Sequence, residues 1–277
     1  MSRTDDFMLG DRGNADVLGG RTETPMSSDQ LAQFIADEWI LSGKLAPGQQ
    51  FPSERGLAEM LGVSRTTLRQ AVRRLAERKL VDILPGKGTY VRQMRTSDAA
   101  LPLGTLMRHS QATTRDVMAA RAMIESHAAR AAAERQDVGA SEAIMAALTE
   151  FEEATTLADR VRADLAFHRA VVRAAGNPVI DILFDSMAQF TVEMMIRSLG
   201  DPNVSREGIP YHQDIFRAIV EGKGEQAGDA ARAHLLVAER SYGPDLDVPM
   251  HEIGRREIDR LLGSHVNVDT LIRDPFA

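Results

Sequence analysis

The chain has 277 residues and a formal net charge of −7, and its 43% hydrophobic and 26% charged residues are ordinary for a globular protein with room for two domains. It has no cysteine, which excludes disulfides, thiolate metal ligands and cysteine nucleophiles and agrees with a reducing cytoplasm. No apolar run approaches the roughly 18 residues of a membrane-spanning helix, and the first residues lack the pattern of a signal peptide, so we expect a cytoplasmic protein with no membrane partner.

The N-terminal region predicts an unfolded arm followed by a helix. Residues 1–26 are rich in Gly, Asp, Thr and Arg and show no apolar periodicity, which is typical of a disordered segment. The run from Ser27 to Gln30 resembles a capping box, a common start of a helix. The helix that follows ends near Gly43, and its apolar stripe consists of Leu31, Phe34, Ile35 and Trp39.

The stretch from Phe51 to Lys79 predicts two helices joined by a tight turn at Leu61-Gly62-Val63. Ser53 and Ser64 are placed to cap the N-termini of the first and second helix. The apolar face of the second helix consists of Leu68, Ala71, Val72 and Leu75. The adjoining arc consists of Arg65, Thr66, Arg69 and Arg73. A basic arc beside a buried face is typical of a DNA-reading helix, although a solvated surface helix has the same pattern.

The next segment, Val81 to Val91, predicts a β-hairpin. Two β-prone runs flank Pro85-Gly86-Lys87-Gly88, a turn with a cation at its tip. A helix-turn-helix closed by a basic hairpin is a winged helix, so we predict a DNA-binding domain over residues 27–95. This domain holds eleven Lys/Arg and seven Asp/Glu, a net charge of +4, which leaves −11 for the other residues. Such asymmetry indicates a small basic domain that reads DNA and an acidic remainder that does not.

Beyond Leu101 the sequence predicts only helices. The expected fold class is therefore mainly α, with the winged helix-turn-helix followed by an antiparallel all-α bundle over residues 99–242, which can hold a ligand between facing helices. About seven helices are expected in it, at 99–110, 114–136, 139–154, 157–175, 178–199, 205–222 and 224–242. Residues 243–277 form a polar tail with one short amphipathic piece near Ile253 to Leu262, which is either frayed or a docking helix.

Four residues of the bundle are candidate metal ligands. Asp164 and His168 are four positions apart and share one helix face, while His212 and His234 lie on the last two helices. Carboxylate and imidazole ligands suit Zn, Ni, Mn, Co or Fe. The spacing alone also allows a plain helical ion pair and ordinary histidines.

One long run resembles a known family. GKLAPGQQFPSERGLAEMLGVSRTTLRQAVRRLAERKLVDILPGKGTYV, within residues 28–92, resembles the DNA-binding domain of the GntR family of bacterial transcription regulators. The resemblance implies a homodimer that binds a short palindromic operator of double-stranded DNA and is nucleoid-associated when bound. The residues that it implies at the DNA are Arg55, Arg65, Thr66, Arg69, Gly86 and Lys87, with Ser64 and Thr67 at helix caps and phosphates.

Two later runs resemble the effector half of the same regulators. ADLAFHRAVVRAAGNPVI and YHQDIFRAIVEGKGEQAGDAARAHL are similar to FCD-type effector domains of the FadR subfamily. The resemblance implies that Arg121 holds the carboxylate of a small organic-acid or sugar-acid effector. It also implies a divalent transition metal (Zn, Ni or Mn) on Asp164, His168, His212 and His234.

The expected function is a metabolite-responsive transcription regulator, with repression rather than activation, and not an enzyme. Two alternatives stay open at this point. One is a metal-dependent enzyme with Glu125 or Glu193 as general base, and the other is a dimerisation module with a purely structural metal. The chain departs from the family pattern at Gly56, where an acid is usual, and at Lys79, where a helix-ending glycine is usual.

Overall fold

The computed structural model describes residues 26–95, 98, 100–263 and 268–272. The chain divides into two compact units between Met94 and Arg95. The predicted disordered arm lies, apart from Met26, outside the described residues. Among the described helices, none is long and apolar enough to cross a lipid bilayer.

The first unit, which we call the reading unit, is a three-helix domain closed by a hairpin. Its elements are α1 Ser28–Ile35, which continues as a π-helical stretch Ala36–Leu41, α2 Glu54–Leu61, α3 Arg65–Glu77, β1 Val81–Leu84 and β2 Gly88–Val91. The strands pair antiparallel, with Val81 opposite Val91 and Leu84 opposite Gly88. The predicted winged helix-turn-helix is confirmed.

The local signals that predicted these helices act as expected. Ser27 accepts a hydrogen bond from the backbone of Gln30, whose side chain accepts one from the Ser27 backbone, so the capping box is confirmed. Ser53 and Ser64 cap α2 and α3. The turn between these helices begins at Gly62, whose φ of +66° is a left-handed conformation that favours glycine.

The predicted apolar face of α3 is buried in the core of the reading unit. Leu68 and Leu75 have no exposed surface, and Leu31 and Ile35 of α1 lie in the same core cluster. Trp39 and Phe51 complete it at one end, with ring centroids 6.3 Å apart. Burial of one α3 face leaves the basic arc of the same helix exposed to solvent.

The second unit, which we call the helical unit, is built from α-helices and short 3-10 turns in its described part. Its elements are α4 Ala100–His109, α5 Thr114–Arg135, α6 Val138–Glu153, α7 Leu157–Ala174, α8 Pro178–Ser186, α9 Ala188–Gly200, α10 Pro202–Val220, α11 Gly224–Tyr242, the 3-10 turn Gly243–Asp247, α12 Met250–Leu261 and α13 Asp269–Ile272. The predicted mainly-α class is confirmed.

Two helix boundaries differ from the prediction. The single helix expected at 178–199 is two helices, α8 and α9. The helix is interrupted at Met187, where ψ is close to zero and the backbone N–H donates to Phe184 O in a tight turn. Helix α10 begins at Pro202 instead of 205. Asp201 accepts hydrogen bonds from the next two backbone N–H groups as its N-cap, and Pro202 occupies the first helical position, where a missing N–H costs nothing.

The segment after Tyr242 is folded onto the helical unit, which decides between a frayed tail and a docking helix. The buried face of α12 includes Met250 and Ile253 and packs on α9. Two backbone hydrogen bonds fix its start, from Thr114 N to Val248 O at 3.2 Å and from Met250 N to Ala112 O at 2.9 Å. The helical unit therefore continues beyond residue 242.

Candidate metal centre and DNA-reading surface

Four side chains from three helices converge inside the helical unit. Asp164 and His168 come from α7, His212 from α10 and His234 from α11. The Nε2 atom of His212 lies 3.1 Å from Asp164 Oδ1 and 3.2 Å from His234 Nε2, and His168 Nε2 lies 3.6 Å from Asp164 Oδ1. The three histidines each offer a ring nitrogen within 4.8 Å of the others. The four sequence-predicted ligands thus lie together.

Packing and hydrogen bonds fix the orientation of the imidazole rings. Phe151 of α6 meets the His212 ring edge-on, with centroids 5.0 Å apart, and Phe167 of α7 lies 4.6 Å from the same ring. The Nδ1 atom of His234 is 3.3 Å from the carbonyl oxygen of Gly208. Apolar walls and a backbone partner therefore turn the Nε2 atoms of these two histidines toward each other.

Glu125 of α5 completes the cluster, and sequence reasoning assigned it only as a possible general base of an enzyme. Its Oε2 lies 2.5 Å from His168 Nδ1, and its Oε1 accepts a hydrogen bond from Arg121 Nε at 2.6 Å. A carboxylate on Nδ1 keeps the proton there and leaves Nε2 available as a ligand. The only sequence signal for this role is the four-residue spacing between Arg121 and Glu125.

Opposite charges in this cluster stabilise one another's ionised forms. Burial raises the pKa of Glu125, but Arg121 and His168 outweigh it and lower the pKa to about 2. Burial lowers the pKa of His168, but Glu125 and Asp164 outweigh it and raise the pKa to about 9. Burial likewise opposes ionisation of Asp164, yet the neighbouring His168 and His212 side chains hold its pKa well below the usual value. The site therefore stabilises buried carboxylates as anions.

Two buried atoms of the cluster suit a cation. Asp164 Oδ1 and His168 Nε2 have no hydrogen-bond partner among the described residues, although Asp164 is only 5% exposed and His168 3%. Buried polar atoms without partners cost free energy, and a bound ion is one common explanation. Their donor chemistry, imidazole nitrogen with carboxylate oxygen, fits Zn²⁺, Ni²⁺ or Mn²⁺.

A recess beside these residues is lined by Arg121, which is 3% exposed. The recess has a cavity volume of about 40 Å³, and its other walls include Met195 and Leu199 of α9 and Ser205 of α10. A mostly apolar recess with one arginine and a few polar groups fits a small anionic ligand. The sequence-predicted Arg121 thus lies beside the candidate ligands.

The candidate DNA-facing residues lie on the reading unit. Arg65, Thr66 and Arg69 are exposed on α3, and Gly86 and Lys87 are exposed at the hairpin tip. The Nε atom of Arg69 lies 3.5 Å from a Glu54 carboxylate oxygen of α2, a contact that the sequence did not indicate.

The remaining three candidates lie at the two helix starts. Arg55 is exposed near the start of α2, with Nε 3.9 Å from a carboxylate oxygen of Glu59. Ser64 Oγ is 2.8 Å from Thr67 Oγ1 and also accepts the Thr67 backbone N–H. These two hydroxyls therefore organise the N-terminus of α3, where backbone N–H groups favour a phosphate.

Both units of the chain match families of known proteins. Residues 29–91 match the family described as "Bacterial regulatory proteins, gntR family", and residues 116–236 match the FCD domain. The "Putative L-lactate dehydrogenase operon regulatory protein" of Escherichia coli (strain K12) is 32% identical over 254 residues, which are 86% of this chain and 93% of the relative. The chain belongs to the GntR family.

Two further relatives of this GntR regulator extend the likeness. The "HTH-type transcriptional regulator LutR" of Bacillus subtilis (strain 168) is 29% identical over 208 residues, which are 72% of this chain and 94% of the relative. A solved structure, "Streptococcus agalactiae GntR", superposes with a TM-score of 0.63 at 27% identity and covers 77% of this chain and 99% of that one. The protein is thus a DNA-binding transcription regulator with an FCD effector domain, not an enzyme.

Proposed function

We propose that this GntR regulator senses a small carboxylate at a metal centre in its helical unit and changes its affinity for operator DNA in response. Asp164, His168, His212 and His234 would hold a divalent transition metal, with Zn, Ni or Mn as the candidates. When bound, the metal supplies a Lewis-acidic centre for an anion. Arg121 supplies the counter-charge for the effector carboxylate from the wall of the same recess.

The observation that carries this proposal is the convergence of unpartnered buried ligand atoms beside a buried arginine. Asp164 Oδ1 and His168 Nε2 have no hydrogen-bond partner among the described residues, and the His212 and His234 Nε2 atoms are 3.2 Å apart. Glu125 accepts the Nε–H of Arg121, and the other N–H groups of this guanidinium have no partner in the described part of the chain, which leaves them for a ligand. The same contacts argue against Glu125 as a free general base.

The DNA half of the proposal rests on the exposed residues of α3 and the hairpin. Arg65 and Arg69 would each donate two hydrogen bonds to O6 and N7 of a guanine in the major groove. Each good contact of this kind discriminates against the wrong base by about 1–3 kcal/mol. Thr66 and Arg55 would contact bases or backbone nearby, and Gly86-Lys87 would reach a phosphate or the next groove. Two copies of the chain would read the two halves of a palindrome, because a two-fold site requires a two-fold protein.

Effector binding changes DNA affinity only if the effector binds the DNA-competent and DNA-incompetent states of the dimer with different affinity. A coupling of 1–3 kcal/mol, which is typical for such linkage, corresponds to about a 5- to 150-fold change in operator affinity. We expect the ligand-free regulator to repress and the effector to relieve repression.

The first effector to test is a 2-hydroxy acid. The Escherichia coli relative is named for an L-lactate dehydrogenase operon. A 2-hydroxy carboxylate also offers a charged end for Arg121 and a hydroxyl for a polar wall such as Ser205. L-lactate therefore leads a panel that also contains larger organic acids and sugar acids.

The proposal is tested by metal analysis of the purified protein and by titration calorimetry of the metal-loaded protein with the acid panel. The wild type is expected to carry one metal per chain and to bind one acid, whereas His212→Ala should lose both. His127→Ala, which removes an exposed histidine of α5, is the matched control. A protein with no metal and no acid binding would refute the sensor and leave only the DNA-binding role.

Arg121 has its own test, because a purely structural metal would not need it. Arg121→Lys keeps the charge beside Glu125 but removes the planar fork that binds a carboxylate at two points. We expect at least about a tenfold loss of acid affinity with unchanged metal content. Arg130→Lys changes an exposed arginine of the same helix and should bind the acid as the wild type does. Equal acid binding by both variants would contradict the role of Arg121.

A further inference from the structure

The tip of the β1–β2 hairpin is tied to the loop that precedes α2. The Phe51 N–H donates to Thr89 O and the Val91 N–H donates to Gln49 O, both at 2.8 Å. These bonds flank a single antiparallel β-bridge that sets Gln50 opposite Tyr90. The hairpin is therefore braced along the β2 edge that β1 leaves unpaired.

The brace ends on a single atom, the carbonyl oxygen of Lys87. Gln50 Nε2 donates to it at 2.7 Å, and the Tyr90 hydroxyl donates to it at 3.1 Å. A carbonyl oxygen has two lone pairs, so both are used. The Lys87 N–H donates to Leu84 O at 3.0 Å and closes the turn. The backbone of Lys87 is thus fully bonded within the reading unit, while its side chain is exposed.

The hydrogen bond from Gln50 to the Lys87 carbonyl requires a glycine at position 88 of the hairpin. Its φ of +112° is a conformation that residues with side chains rarely adopt. A Cβ atom at this position would lie 2.6 Å from Gln50 Nε2, which is closer than real Cβ contacts allow. The space that a side chain would need is therefore the space through which Gln50 reaches the Lys87 carbonyl.

The two hydrogen bonds hold the Lys87 carbonyl inward and leave the Lys87 side chain facing outward. A carbonyl oxygen carries partial negative charge, and near DNA it would be repelled by the phosphates. We propose that Gln50 and Tyr90 are positioning residues that hold the Lys87 carbonyl against the reading unit and thereby present the Lys87 ammonium to a DNA phosphate. This inference rests on the proposed DNA-facing role of Lys87, and the experiment below separates the two.

The test measures binding of the full-length protein to a fluorescein-labelled duplex of non-specific sequence, by anisotropy over a series of salt concentrations. Gln50→Ala and Tyr90→Phe remove the donors and keep the lysine. Each should weaken binding about fivefold, the effect of one hydrogen bond. Each should also lower the salt-dependence slope toward that of Lys87→Ala, which loses about one phosphate contact. Gln226→Ala, an exposed glutamine of α11, should bind as the wild type does.

A double-mutant cycle distinguishes positioning of Lys87 from a general structural effect. In the Lys87→Ala background, Gln50→Ala should cause no further loss, because the side chain that it positions is gone. Additive losses would overturn the inference, since Gln50 would then act independently of Lys87. Wild-type binding by Gln50→Ala and Tyr90→Phe with a weakened Lys87→Ala would overturn it and spare the proposed contact. Wild-type binding by Lys87→Ala would overturn both.

Discussion

Glu125 is the residue that joins the two candidate binding functions of the helical unit. One of its oxygens contacts His168 of the metal cluster, and the other accepts the hydrogen bond of Arg121, the candidate effector residue. Both contacts are buried, so water screens them little. A change at the metal cluster can therefore be transmitted from His168 to Arg121 through two hydrogen bonds.

Replacing Glu125 by Gln is expected to weaken metal binding about 10- to 100-fold, which is the usual effect of losing a carboxylate behind a histidine ligand. The neutral amide keeps the shape but supports the His168 Nδ1 proton less well. Metal affinity, measured by competition with a chromogenic chelator, checks this. Glu134→Gln, on the exposed side of the same helix, should leave the affinity unchanged. Equal affinities for the Glu125 and Glu134 variants would contradict the role.

The sequence predicts only some of the residues of the candidate metal centre. The Asp164–His168 spacing and the family resemblance nominated the four candidate ligands, and these four do lie together. The role of Glu125 could not be derived, because it depends on which face of α5 packs against α7. Helix α5 is rich in alanine, and its buried face includes the charged Arg121 and Glu125 while the apolar Met123 is exposed, so no clear apolar stripe identifies that face.

At the scale of single elements, the end of α3 is strained. Lys79 follows this helix with a φ of +58°, in the left-handed region where a side chain costs free energy and glycine does not. Lys79→Gly should therefore raise the free energy of unfolding of the reading unit by about 1 kcal/mol. Urea unfolding measures it, and Lys79→Ala, which removes the side chain but keeps the Cβ, should give no such gain. A gain from alanine equal to that from glycine would refute backbone strain as the cause.

Local sequence signals account for most elements and fail where packing decides. The caps at Ser53 and Ser64 were predictable because a side-chain hydroxyl satisfies helix N–H groups whatever the rest of the fold does. The interruption at Met187 was not predictable, since no glycine, proline or cap residue directly follows Ser186. The docking of α12 could not be predicted because its apolar stripe needs a partner, and the partner, α9, lies some 60 positions earlier in the chain.

The docked C-terminal segment is fixed by charge as well as by apolar contact. Asp245 accepts hydrogen bonds from Arg256 of α12 and Arg197 of α9, both at 2.6 Å, and these lower its pKa. Because the folded pKa lies below the ordinary value of 3.8, the stabilisation is complete above that value and is lost as the pH falls through the folded pKa.

Asp245→Asn should therefore lower the free energy of unfolding by about 1–3 kcal/mol at neutral pH and by progressively less in acid, below about pH 4. Urea unfolding of wild type and variant over a pH series checks this. The matched control is Asp247→Asn, because the Asp247–Arg115 pair is exposed and should contribute little. A gap between wild type and Asp245→Asn that does not change with pH would show that lost packing, not charge, is responsible.

At the scale of the whole molecule, the two units have separate cores and opposite charge. The reading-unit core consists of residues between Leu31 and Val91, whereas the clusters of the helical unit contain residues between Val117 and Leu271. Residues 27–95 carry a net charge of +4 and the rest of the chain carries −11, so the net positive charge that favours DNA lies in the reading unit. Separate cores imply that a ligand of one unit stabilises that unit directly.

Metal removal is accordingly expected to affect one unfolding transition and not the other. The full-length protein should unfold in two calorimetric steps, and a chelator should lower only the midpoint of the helical unit, because the candidate ligands all lie there. At a free metal concentration of about 100 times Kd, the stabilisation lost is about 2.7 kcal/mol. The His212→Ala variant should unfold alike with and without chelator, and the step of the reading unit should coincide in all samples. A chelator that shifts both steps together would show that the two units unfold as one and would refute their energetic independence.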